Sequence, residues 1–138
     1  MCWWPKGDGP GALAAYRKSL AIAEALAARD PANTAWQRDL SVSHERIGNV
    51  LVAQGDGPGA LAGYRKSLAI REALVARDPA NTEWQRDLIV SFVKLSKVTG
   101  DKAYAVKALD LVLEMQQGGI LAPRDAWMIE DLERRSGR

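Results

Sequence analysis

The chain has 138 residues, a length that suits one domain with a continuous but thin hydrophobic core. Hydrophobic residues make up 47% of it and charged residues 26%, the balance of a soluble globular protein, so disorder of the whole chain is not expected. The net charge of +2 comes from 19 basic and 17 acidic residues interspersed along the chain, which lacks the concentrated basic surface of nucleic-acid-binding proteins and predicts no nucleic-acid partner.

Cys2 is the only cysteine, so it cannot form a disulfide bond within the chain. The lack of an internal disulfide framework fits a reducing compartment and predicts a cytoplasmic location. No stretch approaches the ~20 apolar residues of a membrane span, so no membrane association is expected. The first five residues also lack the basic start and apolar run of a secretory signal.

A long internal repeat dominates the sequence. Residues 7–43 and 55–91 are nearly identical, with residue 55 corresponding to residue 7, an offset of 48 residues. A unit of this size cannot bury its own apolar face and has to stack on a neighbouring copy, so the repeat predicts a solenoid. The copies differ only at Ala15/Gly63, Ala23/Arg71, Ala27/Val75, Ala35/Glu83 and Ser41/Ile89.

Helical spacing of apolar residues, strong helix formers and intervening turn residues predict six helices in chain order. The first ends before Asp30-Pro31, because proline disfavours the helical conformation of the residue before it and cannot donate its own amide. At the start of the second, Thr34 and Gln37 have the spacing of a capping box, and Asn33 is an equally acceptable cap. The expected helices cover residues 12–28, 34–53, 58–77, 82–99, 102–117 and 120–135.

Short glycine-containing turns separate the later helices. Gly55-Asp56 closes the second helix, and Gly100-Asp101 reproduces that turn after the fourth. Asp-Gly often marks a β-hairpin, but the flanking apolar spacing is helical on both sides, so a helical turn is expected. The last predicted helix places Met128, Ile129 and Leu132 on one side and charged residues elsewhere, a composition suited to covering the end of a helical stack.

The glycines, small residues and aromatic residue of the second copy fall at the relative positions that the tetratricopeptide repeat (TPR) uses. These residues are Gly48, Gly55, Asp56, Ala60 and Tyr64, with Pro79 as the inter-repeat proline. Gly48 and Ala60 are expected to let the two helices of one hairpin approach closely. The chain therefore resembles this family from residue 7 to about residue 117. It is similar to a long-helix form found in bacterial multi-repeat proteins, because its period exceeds the usual ~34 residues by about two turns per helix.

The resemblance implies an all-α solenoid in which antiparallel helix pairs form a right-handed superhelix. The expected organisation is a single domain over residues 1–138. It would consist of a half repeat at 7–30, a full repeat at 31–78, a last repeat at 79–117 and a C-terminal capping helix at 120–135.

The glycines of residues 7–11 and His44 are the two features that would suggest ligand binding or catalysis, and the sequence around them argues against both. The glycines of residues 7–11 could bring amides to a phosphate, but that fingerprint requires a preceding strand and a fuller glycine pattern, so helix punctuation is the better interpretation. His44 is the only histidine, and Ser43 projects about 100° away from it on a helix, so the two cannot directly form a nucleophile-base pair. The other copy has Phe92 in place of His44, which indicates a packing position. The sequence predicts no enzyme, no catalytic or cofactor-binding residues and, with one histidine and one cysteine, no metal site.

In the family, the first helix of each repeat lines a concave surface, here the helices at about 33–54 and 81–99. Residues three, four and seven apart share a helical face. The expected partner-binding residues are Arg38, Glu45, Asn49, Arg86, Val93 and Lys97. An ordinary solvated helix face is the alternative interpretation of the same residues. Clamping of a peptide carboxylate, known in some family members, is not supported, because Glu45 and Val93 stand where cations would be needed.

The favoured function is a non-catalytic protein-protein interaction scaffold that binds a peptide or partner helix in the groove, without a cofactor. The alternative is a structural or oligomerisation segment of a larger bacterial signalling protein. The first helix lacks the partner helix that precedes its counterpart, so its apolar face needs cover from the N-terminal tryptophans, a second chain or a longer array. Self-association into a homo-oligomer through this end would use Trp3, Trp4, Leu13, Tyr16 and Leu20.

Overall fold

The computed structural model describes residues 9–137, and every regular element in that range is helical. The prediction of an all-α chain with about six helices is confirmed for these residues. The α-helices are α1 Gly9–Arg29, α2 Thr34–Ala53, α3 Gly57–Arg77, α4 Thr82–Thr99, α5 Lys102–Gln117 and α6 Trp127–Ser136. The chain divides into two compact units, the first ending at Leu74 and the second beginning at Val75, so α3 contributes to both.

Asparagine caps the helices that follow the Asp-Pro breaks. Asn33 has an extended backbone conformation just before α2, and its side chain accepts a hydrogen bond from the Trp36 amide at 3.1 Å. In the same way, Asn81 accepts one from the Trp84 amide at 3.0 Å. The alternative in which Thr34 caps α2 is wrong, because Thr34 is already the first helical residue. Gln37, its expected capping-box partner, instead donates to the Pro31 carbonyl at 3.4 Å.

The two Gly-Asp turns have the same construction. Gly55 and Gly100 adopt φ values of +81° and +71°, in the left-handed region that a residue with a Cβ atom rarely occupies. The aspartate that follows each glycine then accepts from a backbone amide of the next helix. Asp56 accepts from the Gly59 amide at 2.9 Å, and Asp101 accepts from the Ala103 amide at 2.9 Å. Each dipeptide therefore ends one helix and begins another.

The first unit contains α1, α2 and most of α3. α1 packs on α2, and α2 packs on α3 in an antiparallel arrangement, since Asn49 near the end of α2 contacts Tyr64 near the start of α3. The close approach expected at Gly48 is present: a Cβ atom there would lie 2.6 Å from Tyr64 Cε1. Gly63 permits a second close approach, because a Cβ atom there would lie 3.1 Å from the His44 carbonyl oxygen. Apolar side chains buried in this unit include Ile47, Val50, Leu51, Ala60 and Leu74.

The second unit contains α4, α5 and α6, and α5 packs against both of the others. Phe92 of α4 stacks on Tyr104 of α5 with ring centroids 6.4 Å apart, and the Lys107 ammonium lies 5.8 Å from the Phe92 ring centroid. Buried apolar side chains of this unit include Leu88, Ile89, Leu95, Leu109, Val112, Met128 and Leu132.

The C-terminal capping helix is shorter than the predicted 120–135. A 3-10 turn at Pro123–Asp125 precedes α6, which begins only at Trp127. The turn buries Asp125, whose two carboxylate oxygens accept from Arg86 Nε and Nη2 at 3.0 and 3.2 Å. This two-pronged ion pair ties the segment to α4 and accounts for the interruption that the apolar pattern of the sequence does not contain. Within residues 9–137, no helix has both the length and the apolar character needed to cross a membrane.

Ser67 offers a test of the α3 core, because its side chain is 1% exposed and its hydroxyl oxygen has no hydrogen-bond partner. Ser67→Ala will raise the free energy of unfolding by about 1 kcal/mol, since alanine is the better helix former and leaves no buried hydroxyl unpaired. Ser19 is the exposed copy of Ser67 in α1, so Ser19→Ala is the control and will gain at most about 0.5 kcal/mol from helix propensity. Urea unfolding measures both variants, and a loss of stability in Ser67→Ala would contradict this account.

Candidate functional site

The predicted partner-binding residues of α2 are largely engaged with other groups of the first unit. Glu45 Oε1 accepts from Arg71 Nη1 at 2.8 Å, and Asn49 Oδ1 accepts from the Tyr64 hydroxyl at 2.7 Å. Both side chains therefore reach toward α3. Arg38 is half-buried, and its carbonyl accepts from the Ser41 hydroxyl at 2.7 Å.

The predicted partner-binding residues of α4 lie in the second unit. Arg86 makes the two-pronged ion pair with Asp125 described above. Val93 is half-buried, and Lys97 is exposed near the end of α4. Two of these three side chains thus have packing or pairing roles inside the unit.

A buried polar cluster joins α2 and α3, and we call its residues Arg71, Ser41 and Glu45 the Arg71 cluster. Arg71 is only 3% exposed, and its Nε donates to Ser41 Oγ at 3.2 Å while its Nη1 pairs with Glu45. Arginine suits such a site because its planar guanidinium is always charged and offers several donors. Removal of one partner from a buried ion pair leaves an uncompensated charge.

The Arg71 cluster was not predicted from the sequence, although the repeat contains a signal for it. Arg71 and Ser41 are two of the positions at which the repeat copies differ, with Ala23 and Ile89 as their counterparts. Glu45 has the counterpart Val93, just beyond the nearly identical stretch. The three contacting residues thus all stand at positions where the repeat changes, and these departures from an otherwise close repeat were the available signal.

Tyr64 lies beside the Arg71 cluster in the same α2–α3 interface. Its ring packs against Gly48, and its hydroxyl donates to Asn49. Burial, with a further contribution from the Glu45 carboxylate, raises the pKa of Tyr64 to about 12. The phenol therefore stays protonated and keeps its hydrogen bond to a higher pH than an exposed tyrosine would.

The face of α1 that corresponds to this interface has much less cover. In α3 the face carries Tyr64, Ser67 and Leu74, all buried. Their copies in α1 are Tyr16 and Leu26, which are half-buried, and Ser19, which is exposed. The same face is therefore buried in α3, where α2 covers it, and partly exposed in α1, although the two helices are nearly identical in sequence.

A groove of about 200 Å³ runs between this face of α1 and the adjoining side of α2, and we call it the α1–α2 groove. Its most exposed apolar side chain is Ile22, at 63%. Half-buried Tyr16 lies on the same face of α1, one turn before Ser19. The groove is lined by Ser19, Ile22, Ala23 and Leu26 of α1 and by Trp36, Asp39 and Ser43 of α2.

The residues predicted for self-association lie in part on this end of the chain. Leu13, Tyr16 and Leu20 are half-buried. Trp3 and Trp4 lie outside the described residues. Ile22 was not among the predicted residues, although it is more exposed than Leu13, Tyr16 and Leu20; its helical position relative to Ser19 and Leu26 was the available signal.

His44 has the packing position that the Phe92 counterpart suggested. It is buried on α2, where its carbonyl lies against Gly63. Burial and, to a smaller extent, the Lys66 ammonium lower the pKa of His44, while Glu24 opposes the shift. Among residues 9–137, no group of three or more His, Cys, Asp or Glu side chains is placed to hold a metal ion.

The lowered pKa of His44 makes stability depend on pH in a defined direction. As pH falls below the ordinary value of 6.5, the unfolded chain takes up a proton more readily than the folded chain, so stability present above that pH is lost. His44→Phe, which installs the residue of the other copy, will therefore lose less stability than the wild type between about pH 7.5 and pH 5. Urea unfolding at the two pH values measures the difference, and equal losses in both proteins would contradict the assignment.

Comparison of the chain with known protein families, curated proteins and solved structures found no match.

Proposed function

We propose that this chain is a non-catalytic protein-interaction module that binds a helical segment of a partner protein in the α1–α2 groove. One observation carries the proposal. The face of α1 is almost a copy of the α3 face that α2 covers, yet Ser19 and Ile22 of α1 are exposed. A face built to pack on a helix and left uncovered is typical of an interaction surface.

The proposal includes a TPR-like, right-handed solenoid as the architecture. Gly48 against the Tyr64 ring and the fully buried Ala60 support it, because the family uses a small residue at each of these positions to bring two helices together. A bacterial, cytoplasmic scaffold is the setting that this architecture favours. In that setting the chain presents a surface and performs no reaction.

The α1–α2 groove is favoured over the polar residues first expected to bind the partner. Glu45, Asn49 and Arg86 each make a charged or polar contact inside their own unit. A ligand that recruited these groups would have to break those contacts, at a cost of roughly 1.5–3 kcal/mol for each hydrogen bond that involves a charge. Val93 and Lys97 remain available for secondary contacts, since Val93 is half-buried and Lys97 is exposed.

Site-specific photocrosslinking in cells that naturally produce the protein tests the proposal. A photoreactive phenylalanine analogue at position 22 replaces an exposed groove residue, and the same analogue at position 21 is the matched control, since Ala21 is exposed and is not part of the groove lining. Position 22 is expected to give discrete crosslinks that map by mass spectrometry to a helical segment of a partner protein.

Three outcomes separate the alternatives. Crosslinks at position 22 that are absent at position 21 support partner binding in the groove. Crosslinks at position 22 to a second copy of this chain would replace partner binding by self-association. Identical background at both positions would overturn the proposed function.

A further inference from the structure

The α2–α3 interface shows in this same chain what a helix needs in order to cover the α1 type of face. Gly48 lies over the Tyr64 ring, and Asn49 accepts from the Tyr64 hydroxyl at 2.7 Å. One turn and two turns before Gly48, Glu45 and Ser41 accept from the buried Arg71. Close packing and charge complementarity together select the covering helix.

The corresponding face of α1 keeps the aromatic part of this arrangement and loses the charge. Tyr16 is the copy of Tyr64, whereas Ala23 stands in place of Arg71. A carboxylate at the Glu45 position of a covering helix would lie opposite Ala23 without a cation. Burial of an unpaired carboxylate is strongly unfavourable, so charge complementarity excludes it at this position.

The chain also shows the apolar alternative at the same two positions of a helix. α4 has Ile89 and Val93 where α2 has Ser41 and Glu45. Ile89 is buried, and Val93 is half-buried. A helix of this repeat can therefore carry either the polar pair of α2 or the apolar pair of α4 at these two positions.

We infer that the α1–α2 groove selects an amphipathic helix with apolar side chains at the positions that correspond to Ser41 and Glu45 of α2. Glycine and asparagine follow at the positions that correspond to Gly48 and Asn49. Ala23 of α1 determines the preference for apolar side chains. The inference rests on the proposed helix-binding function. In the partner helix these four positions follow the spacing i, i+4, i+7 and i+8, which keeps them on one side. The glycine would face Tyr16, and the asparagine would accept from its hydroxyl.

Three synthetic peptides test the preference against the full chain by fluorescence anisotropy. The first has the sequence of residues 33–54, the second carries Ser41→Ile with Glu45→Val, and the third adds Gly48→Leu to the second. We expect the second peptide to bind at least about tenfold more tightly than the first, because no carboxylate is buried opposite Ala23. We expect the third to lose binding, because a side chain at the glycine position would collide with Tyr16, as it would with Tyr64 in α3.

The Ala23→Arg variant supplies the reciprocal test. It places on α1 the arginine that α3 carries, so the first peptide, with serine and glutamate, is expected to become the tighter ligand. Circular dichroism verifies that the variant keeps its helix content; if it does not, the comparison on the unmodified chain decides the inference by itself.

The outcomes distinguish this inference from the function on which it rests. Equal binding of the first two peptides to the unmodified chain overturns the role of Ala23 while leaving helix binding in place. Tight binding of the third peptide shows that the helix does not dock as α2 docks on α3, and it also overturns the inference. Failure of all three peptides to bind removes both the inference and the proposed function.

Discussion

Glu45→Ala will lower the free energy of unfolding by about 3–5 kcal/mol, the range expected when one partner of a buried ion pair is removed. The reason is Arg71, which is 3% exposed and would keep its charge inside the α2–α3 interface without its carboxylate. Urea unfolding followed by circular dichroism measures the loss. A change of less than about 1 kcal/mol, the value of an exposed ion pair, would show that the Arg71 cluster is not a buried unit.

The counterpart positions in the repeat supply the control for this prediction. The triple variant Ser41→Ile, Glu45→Val, Arg71→Ala installs the residues found at these positions in the counterpart helices. We expect it to recover most of the stability that Glu45→Ala loses, because it removes the buried charge, and the larger side chain at position 41 offsets the smaller one at position 71. Strong coupling among the three substitutions is expected, since the residues are in mutual contact.

Gly48→Leu will lower the free energy of unfolding by about 3 kcal/mol, the upper part of the range typical of overpacked cores. Even the first added carbon would lie 2.6 Å from Tyr64 Cε1 and 2.8 Å from Cδ1. The ring cannot easily move away, because it is buried and its hydroxyl is hydrogen-bonded to Asn49. Leucine is the better helix former by about 0.8 kcal/mol, which offsets only part of this cost.

Gly11→Leu is the matched control, because Gly11 lies in α1 with no atom within 4 Å of an added Cβ. That variant is expected to be as stable as the wild type or slightly more stable. In a Tyr64→Ala background, Gly48→Leu should cost less than in the wild type, since the ring that it strikes has been removed. Equal costs in the two backgrounds would show that Tyr64 is not the obstacle.

Much of the fold was predictable because the relevant signals are local. The bounds of α4 and α5 agree with the prediction, since capping and turn residues at each end mark where a helix must begin or stop. A close helix crossing was also correctly expected at Gly48. The interruption before α6 was not predicted, because it depends on an ion pair between Arg86 and Asp125, 39 residues apart.

The candidate site was less predictable than the helices that form it. Glu45 and Asn49 were expected to face a partner, since the first helix of each repeat lines a concave surface in the family that the chain resembles. The structure turns both toward α3, where Arg71 and Tyr64 supply the hydrogen-bonding groups. Helical spacing places Ile22 on the same face as Ser19 and Leu26, but its exposure was not predictable, because it depends on which helix covers α1 and not on its neighbours in sequence.

The number, type and order of the helices, and the turns between them as far as α5, followed from local sequence alone. Those features depend on backbone preferences and side-chain spacing within a few residues, which a single chain displays directly. Which polar residues are buried and which apolar face is left open became apparent only from the packing of the helices. Arg71 meets Glu45 across 26 residues and Ser41 across 30, and the uncovered face of α1 is defined by comparison with α3, so both depend on contacts between distant segments.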